Sequence, residues 1–374
     1  MLLRPDLGFH DEGHDLSSAA FYADACAPFG TARMLSPISV RSLRFSMLED
    51  ETIWTRDWVV IGCESQIPND GDLLPFTVGN HGIHVQRQDG GLTGRFNKAQ
   101  HGGCRAIPLQ CRTGKKTKCS FTSCGYSRDR EVIPASDLGD ATPEMEQYLG
   151  LRPERLLNVR TFTFGPMILV NLDVYPSQIG DTLQALDQAG GFFTTPQPAL
   201  SASWLSEFDA NWKLLGKHLS EGEIAGSTVG SDSQADSDAG IWRLVHGAIH
   251  GQPATFAWLF PNLVLIQAGD ETCAIVLQPT ALGQTMCRCF VFNSSRDDAA
   301  AFWLSEIERR AAAAVEEHLQ LSRWGTSFRP ETIGAAMPLQ TSQQGHWMQR
   351  MLAERAVRAP RKPFAQPIFQ QVRG

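Results

Sequence analysis

Between Trp58 and Asn97 the chain alternates short apolar runs with turn residues: WVVIGC, PNDGD, LLPFTVGN, GIHVQRQDGG and LTGRFN. Strand-length runs at this spacing, with Gly and Asp between them, predict a small antiparallel β-domain. Ahead of it the pattern predicts a short helix near Ser17 to Ala25, and another from Leu48 to Trp58 that carries Ile53, Trp54 and Trp58 toward a core. From Thr142 to Asp173 a short helix is expected, then the strand FTFGPMILVNLD. Ile179 to Leu186 and Trp204 to His218 read as helices. Strand-like runs recur at ATFAWLFPNLVLIQAG, TCAIVLQPTA and TMCRCFVFNSS, with antiparallel pairing expected, whereas RLVHGAIHGQ reads as strand and turn. A long helix follows from Asp297 to about Arg323, with Phe302, Trp303, Ile307, Ala311, Ala314, Val315 and Leu319 at helical spacing. The tail after Arg329 holds one helical piece near Trp347 to Val357. Gly226 to Gly240 (GSTVGSDSQADSDAG) is too small and polar to bury much surface and is expected to form a loop or lid.

A chain of 374 residues is long enough for two domains or one large one. Its formal charge of −7 argues against a nucleic-acid partner, which calls for a basic face. No apolar run approaches the roughly 18 residues that span a bilayer, so no membrane association is expected. The N-terminus, MLLRPDLGFHDEGHD, turns acidic too early for a secretory signal, and a cytoplasmic location is the expectation.

Nine cysteines suit that compartment if they are reduced or metal-bound. Cys26, Cys63, Cys273, Cys287 and Cys289 sit in apolar or strand-like surroundings and read as small buried hydrophobes. Cys104, Cys111, Cys119 and Cys124 differ, because they crowd into 21 residues among polar and basic neighbours, with His101 just ahead. Four thiolates, or three with His101, satisfy tetrahedral zinc or a plain iron–sulfur cluster. The spacing C-x6-C-x7-C-x4-C lacks tight C-x2-C knuckles. Lys115, Lys116 and Lys118 would favour thiolates but equally suit a solvated loop. Free cysteines are the alternative.

The order of motifs along the chain resembles the large (α) subunit of Rieske non-haem iron ring-hydroxylating oxygenases, over roughly residues 40 to 330. In the first part the matching residues are Glu51 to Trp58 (ETIWTRDW), Ile61-Gly62, Ile67-Pro68, Gly71-Asp72 and the strand pair Val85 to Asn97. In the second they are Asn211-Trp212-Lys213, Phe260-Pro261-Asn262-Leu263 and the helix near Arg296-Asp297-Asp298. The resemblance implies an α+β fold: an N-terminal Rieske-like antiparallel β-domain over 41–140, then a START-like (helix-grip) domain with a curved antiparallel sheet over 141–330. An extension over 1–40 and a tail over 331–374 flank them. It also implies head-to-tail rings of three subunits, with electrons passing from the cluster of one subunit to the mononuclear iron of its neighbour.

Both implied metal sites depart from the family pattern. A Rieske centre takes two thiolates on one iron and two histidines on the other. The first loop, Cys-x-His in the family, is Ala99-Gln100-His101 here. For the second, Cys-x-x-His-Gly-Trp, aligning Gly125-Tyr126 on Gly-Trp puts Phe121 and Cys124 at ligand positions. Aligning by distance puts Cys119 and Thr122 there. Either register leaves His101 with Cys119 or Cys124 as the surviving ligands. The mononuclear site should hold two histidines and a carboxylate. Glu221 matches the acidic bridging position, but Ile224 and Val229 stand where histidines belong, and none occurs between His218 and His246. Glu317 is the counterpart of the third, aspartate ligand. His218 remains as a substitute, as do His246 and His250, both better read as hydrogen-bonded structural histidines. Mononuclear iron is therefore not expected.

Three functions fit. The leading one is a non-catalytic oxygenase subunit that joins a ligand-complete paralogue in a ring. The second is a working mono- or dioxygenase with altered ligands, acting on an aromatic or apolar substrate, with Cys104, Cys119, Cys124 and His101 holding the cluster and His218, Glu221 or Glu317 a metal. The third is a module that binds a hydrophobic small molecule in the START-like cavity.

Overall fold

The computed structural model describes residues 8–96, 132, 158–193, 198–222, 240–340 and 342–357. They fall into two compact units, divided between Ile53 and Trp54 and between Ser177 and Gln178. Each contains one six-stranded antiparallel sheet, so the α+β class with antiparallel sheets is the observed one.

The unit that begins at Trp54 is built on β1 (Val59–Cys63), β2 (Leu73–Val78), β3 (His81–Gln88), β4 (Gly91–Phe96), β5 (Asn158–Phe164) and β6 (Met167–Asn171). The order across the sheet is β1-β6-β5-β4-β3-β2. The hairpin β3–β4 turns through Asp89 and Gly90, both with positive φ (52° and 73°). This is the handedness that a two-residue hairpin loop needs. FTFGPMILVNLD is not one strand: β5 and β6 pair back on each other through Gly165-Pro166, Phe164 opposite Met167. The pair then joins the same sheet, β5 to β4 and β6 to β1. Gly94 makes the β4–β5 junction possible, since a Cβ there would lie 2.9 Å from the Val159 carbonyl oxygen. In ETIWTRDW, Ile53, Trp54 and Thr55 are buried, Arg56 pairs with Asp173 at 3.0 Å, and its carbonyl accepts from Asn171 Nδ2 at 3.1 Å.

The helix expected to run to Trp58 stops earlier. It is α1 (Leu43–Glu49), continued by a wide turn over Asp50–Trp54, and Trp58 is only half-buried. Ser42 starts it by accepting from Phe45 N–H at 3.1 Å, an N-cap that the apolar spacing did not reveal.

The other unit contains α1, α2 (Gly180–Gly190), β7 (Leu200–Phe208), α3 (Trp212–Ser220), β8 (Trp242–Ile249), β9 (Gln252–Leu259), β10 (Leu263–Ala268), β11 (Glu271–Ala281), β12 (Gln284–Phe292), α4 (Ala299–Arg323) and α5 (Gln343–Ala356). Strands β8 to β12 form a meander, and β7 closes the order on β12. Trp204 to His218 was expected to be one helix, but its first half is strand β7. There half-buried and exposed residues alternate one for one, the period of a pleated strand. Asn211 then caps α3 by accepting from Lys213 N–H at 3.2 Å. Phe260-Pro261-Asn262 is the turn between β9 and β10. Its Pro261 carbonyl accepts from the Trp258 indole at 3.0 Å, and Asn262 Nδ2 donates to the Leu277 carbonyl at 3.1 Å. Cys63, Cys273, Cys287 and Cys289 are buried as expected, whereas Cys26 is exposed.

Candidate functional site

Helix α3 carries two lysines one turn apart, Lys213 and Lys217, so both project from one side of the helix. Each meets a carboxylate from a distant part of the chain. Lys213 Nζ lies 2.5 Å from Glu49 Oε1 at the end of α1, and both side chains are almost wholly out of water. Trp212 Nε1 donates to the other Glu49 oxygen at 3.4 Å, and the ammonium stands 5.3 Å from the ring centres of Phe45 and Trp212. Burial pushes Glu49 above the ordinary carboxylate range, although Lys213 pulls it down. Burial lowers Lys213 in turn, against the pull of Glu49. The Asn-Trp-Lys motif is thus a cap, a core indole and half of a buried ion pair.

Lys217 makes the second pair. Its Nζ donates to both oxygens of Glu317 on α4, at 2.9 and 2.7 Å. His218 Nε2 shares a 2.6 Å hydrogen bond with Glu317 Oε2, and His218 Nδ1 is 3.9 Å from Glu221 Oε2. Glu221, the residue that ends α3, bonds through its carboxylate to Ser342 Oγ, the N-cap of α5, and its carbonyl accepts from Arg310 of α4. Arg310 and Glu317, seven apart on α4, thereby hold the last turn of α3. Cations gathered there also complement the negative end of its dipole. Burial raises the carboxyl of Glu317, but the hydrogen bond from His218 and the charge of Lys217 outweigh it, and its pKa falls below the ordinary value.

The structure places His218 between Glu317, on its Nε2, and Glu221, on its Nδ1, with the Lys217 ammonium on Glu317. This set does not fit a site of two histidines and one carboxylate. It has one imidazole, its α4 carboxylate is already engaged on both oxygens, and the residues 223–239 contain no histidine. His246 and His250 are no substitutes. His246 is exposed on β8 with Nδ1 3.2 Å from Thr255 Oγ1. His250 sits in the turn after β8, 3.9 Å from Glu306. Both have partners of their own, as structural histidines do. Among the described residues no group of three or more His, Cys, Asp or Glu side chains is arranged to hold a metal ion. His101, Cys104, Cys111, Cys119 and Cys124 lie outside the described residues, as does almost all of the Gly226–Gly240 loop.

Lys217, Arg310, Ser342 and Glu49 escaped the reading of the sequence. The one available signal was the spacing of Lys217 from Lys213, which puts both on one side of α3. The partner carboxylates lie about 100 and 164 positions away, and no local pattern links them.

No described helix is long and apolar enough to cross a membrane. No family model matches the chain. It is 24% identical over 173 residues to the oxygenase subunit of glycine betaine monooxygenase from Pseudomonas aeruginosa, covering 46% of this chain and 39% of that protein. It is 24% identical over 178 residues to the large subunit of anthranilate 1,2-dioxygenase from Acinetobacter baylyi, covering 47% and 38%. These matches span less than half the length of either relative. Among solved structures, the quaternary ammonium Rieske monooxygenase CntA superimposes with a TM-score of 0.62 at 14% identity, covering 91% of this chain and 98% of that one. Naphthalene 1,2-dioxygenase from Rhodococcus sp. superimposes with a TM-score of 0.53 at 14% identity, covering 91% and 99%.

Proposed function

We propose that this chain, which is similar to Rieske oxygenase α subunits, is a non-catalytic subunit that joins a ligand-complete α-subunit paralogue in an oxygenase assembly. The observation that carries this reading is the pairing of Lys217 with both oxygens of Glu317. The carboxylate that corresponds to an iron ligand has a protein cation as its partner. The departures of the Rieske loops at Ala99 and at Phe121 or Thr122 point the same way. The framework motifs that remain serve packing: Asn211 caps, Trp212 fills the core, and Phe260 to Asn262 closes a hairpin. A subunit that contributes shape and contact surface needs these parts and no redox centre. The solved CntA structure is described as revealing inter-subunit electron transfer, and in such an assembly one subunit's iron depends on its neighbour.

The test is copurification from the native source or from co-expression with candidate paralogues, followed by size measurement and iron and sulfide analysis. A mixed ring in which iron tracks the partner supports the proposal. An iron- and sulfide-loaded homo-oligomer that oxidises substrate refutes it and establishes the alternative of an oxygenase with altered ligands. The alternative draws its support from the convergence of His218, Glu221 and Glu317.

A further inference from the structure

We infer that Arg95, in the unit that begins at Trp54, holds a small oxoanion, a phosphate, sulfate or carboxylate, against the polar row that β3 and β4 share. Nothing in this site depends on the reading above.

Arg95 is 6% exposed, and a guanidinium keeps its charge at any ordinary pH. A buried charge is costly unless an opposite charge stands beside it. Two half-buried arginines of the same unit follow this rule: Arg56 pairs with Asp173 and Arg87 with Glu64, each at 3.0 Å. Arg95, more deeply buried than either, has no carboxylate partner among the described residues. Its Nη1 donates to Gln86 Oε1 at 3.3 Å and its Nη2 to Gln88 Oε1 at 3.2 Å, both neutral carboxamides and both long bonds. Its Nε is buried without an acceptor. The sheet register gathers the rest of the site. Arg95 stands opposite His84 on β3, and Gln86 and Gln88 follow His84 in steps of two, so their side chains share its face. Burial and the charge of Arg95 hold the His84 pKa down at about 3, so the imidazole beside the guanidinium is neutral. None of the six strands of this sheet carries an Asp or Glu, while Arg87, Arg95 and Arg160 all lie on them. The sheet is short of negative charge at its most buried cation. A guanidinium presents parallel N–H groups that match two oxygens of one oxoanion. An oxoanion at Arg95 takes the idle Nε–H and supplies the missing charge. The row runs from buried His84 through half-buried Gln86 to exposed Gln88, which gives the anion a way in from water.

The experiment titrates full-length wild type, Arg95→Met and Arg95→Gln with inorganic phosphate, by calorimetry and by thermal melts, against sodium chloride of equal ionic strength. Sodium sulfate and sodium acetate run in parallel and separate a tetrahedral oxoanion from a carboxylate. Wild type is expected to bind one equivalent of at least one of the three with a submillimolar Kd, and to gain at least about 3 °C in Tm near an anion concentration of about 10 mM. Both variants should lose that equivalent and that gain. In chloride alone they should melt no lower than wild type, because removing an uncompensated charge relieves its desolvation cost. Salting effects and anions bound elsewhere are common to all three proteins and cancel in the comparison. Wild type that responds to none of the three anions beyond chloride overturns the inference. So do folded variants that keep the bound equivalent. Variants that melt well below wild type in chloride, or do not fold, overturn it too, since an arginine on which the fold depends is already satisfied within it. None of these results depends on whether a partner subunit copurifies, so the two proposals fail separately.

Discussion

Replacing Lys213 with methionine removes one half of a buried ion pair while keeping most of the stem volume. At the observed 2.5 Å the attraction between the two charges is about 7 kcal/mol for an effective dielectric constant near 20. Much of this offsets the several kcal/mol per ion that desolvation costs, so the intact pair contributes little net stability. The broken pair behaves differently. Glu49 would stay buried with the Trp212 indole at 3.4 Å as its remaining neighbour in the former pair, and such single removals cost about 3–5 kcal/mol. In a unit of this size that is a fall in Tm of about 6–20 °C. The deficit should depend on pH. Burial already raises Glu49 above the ordinary carboxylate range, and losing Lys213 raises it further. A folded state that holds this proton more tightly than the unfolded chain loses stability as pH rises through the window between the two pKa values. The methionine variant should therefore be closest to wild type near pH 5 and furthest from it at pH 8. Urea denaturation at both pH values, with Glu49→Gln/Lys213→Met alongside, measures this. The double variant should recover most of the loss. A single variant within about 1 kcal/mol of wild type at pH 7, or a double variant no more stable than the single one, refutes the reasoning.

Three further outcomes follow from the same region. Glu317→Gln should cost about 1–3 kcal/mol at neutral pH by depriving Lys217 of a charged partner. It should also flatten the acid limb of stability: the lowered Glu317 pKa contributes stability above the ordinary carboxylate value that is lost as pH falls through the folded value. Denaturation midpoints from pH 6 to pH 3 read this out. Asn211→Ala should cost about 1 kcal/mol through loss of the α3 N-cap, seen in urea unfolding, with Asn211→Asp largely restoring it. Gly216→Ala would put a methyl group 2.8 Å from Cε2 and Cη2 of the Trp258 indole. It should cost about 1–3 kcal/mol by overpacking and shift the tryptophan fluorescence on unfolding, whereas Gly251→Ala, which meets nothing within 4 Å, is strained only by its positive φ.

What was legible in the sequence was whatever short-range pattern encodes. Alternation and turn residues marked β1 to β4, and helical spacing marked α4 within two residues of its observed ends. The same logic misread Trp204 to His218, because it weighed a motif at Asn211 above the strand alternation before it. It also missed that Gly165-Pro166 folds one apparent strand into two. His218, Glu221 and Glu317 could be nominated by aligning motifs, and the fold does bring them together.

By itself, then, the sequence determined the antiparallel sheets, the long helix, the order of motifs that resembles the oxygenase α subunits and the lack of histidine between His218 and His246, all carried by residue identity and local period. Only the tertiary structure decided what stands at the site instead. Lys217 is one more lysine on an amphipathic helix until α4 delivers Glu317 from 100 positions away. Counter-ion pairing strengthens as the charges approach in space, whatever their separation in sequence, and only the fold makes these residues neighbours.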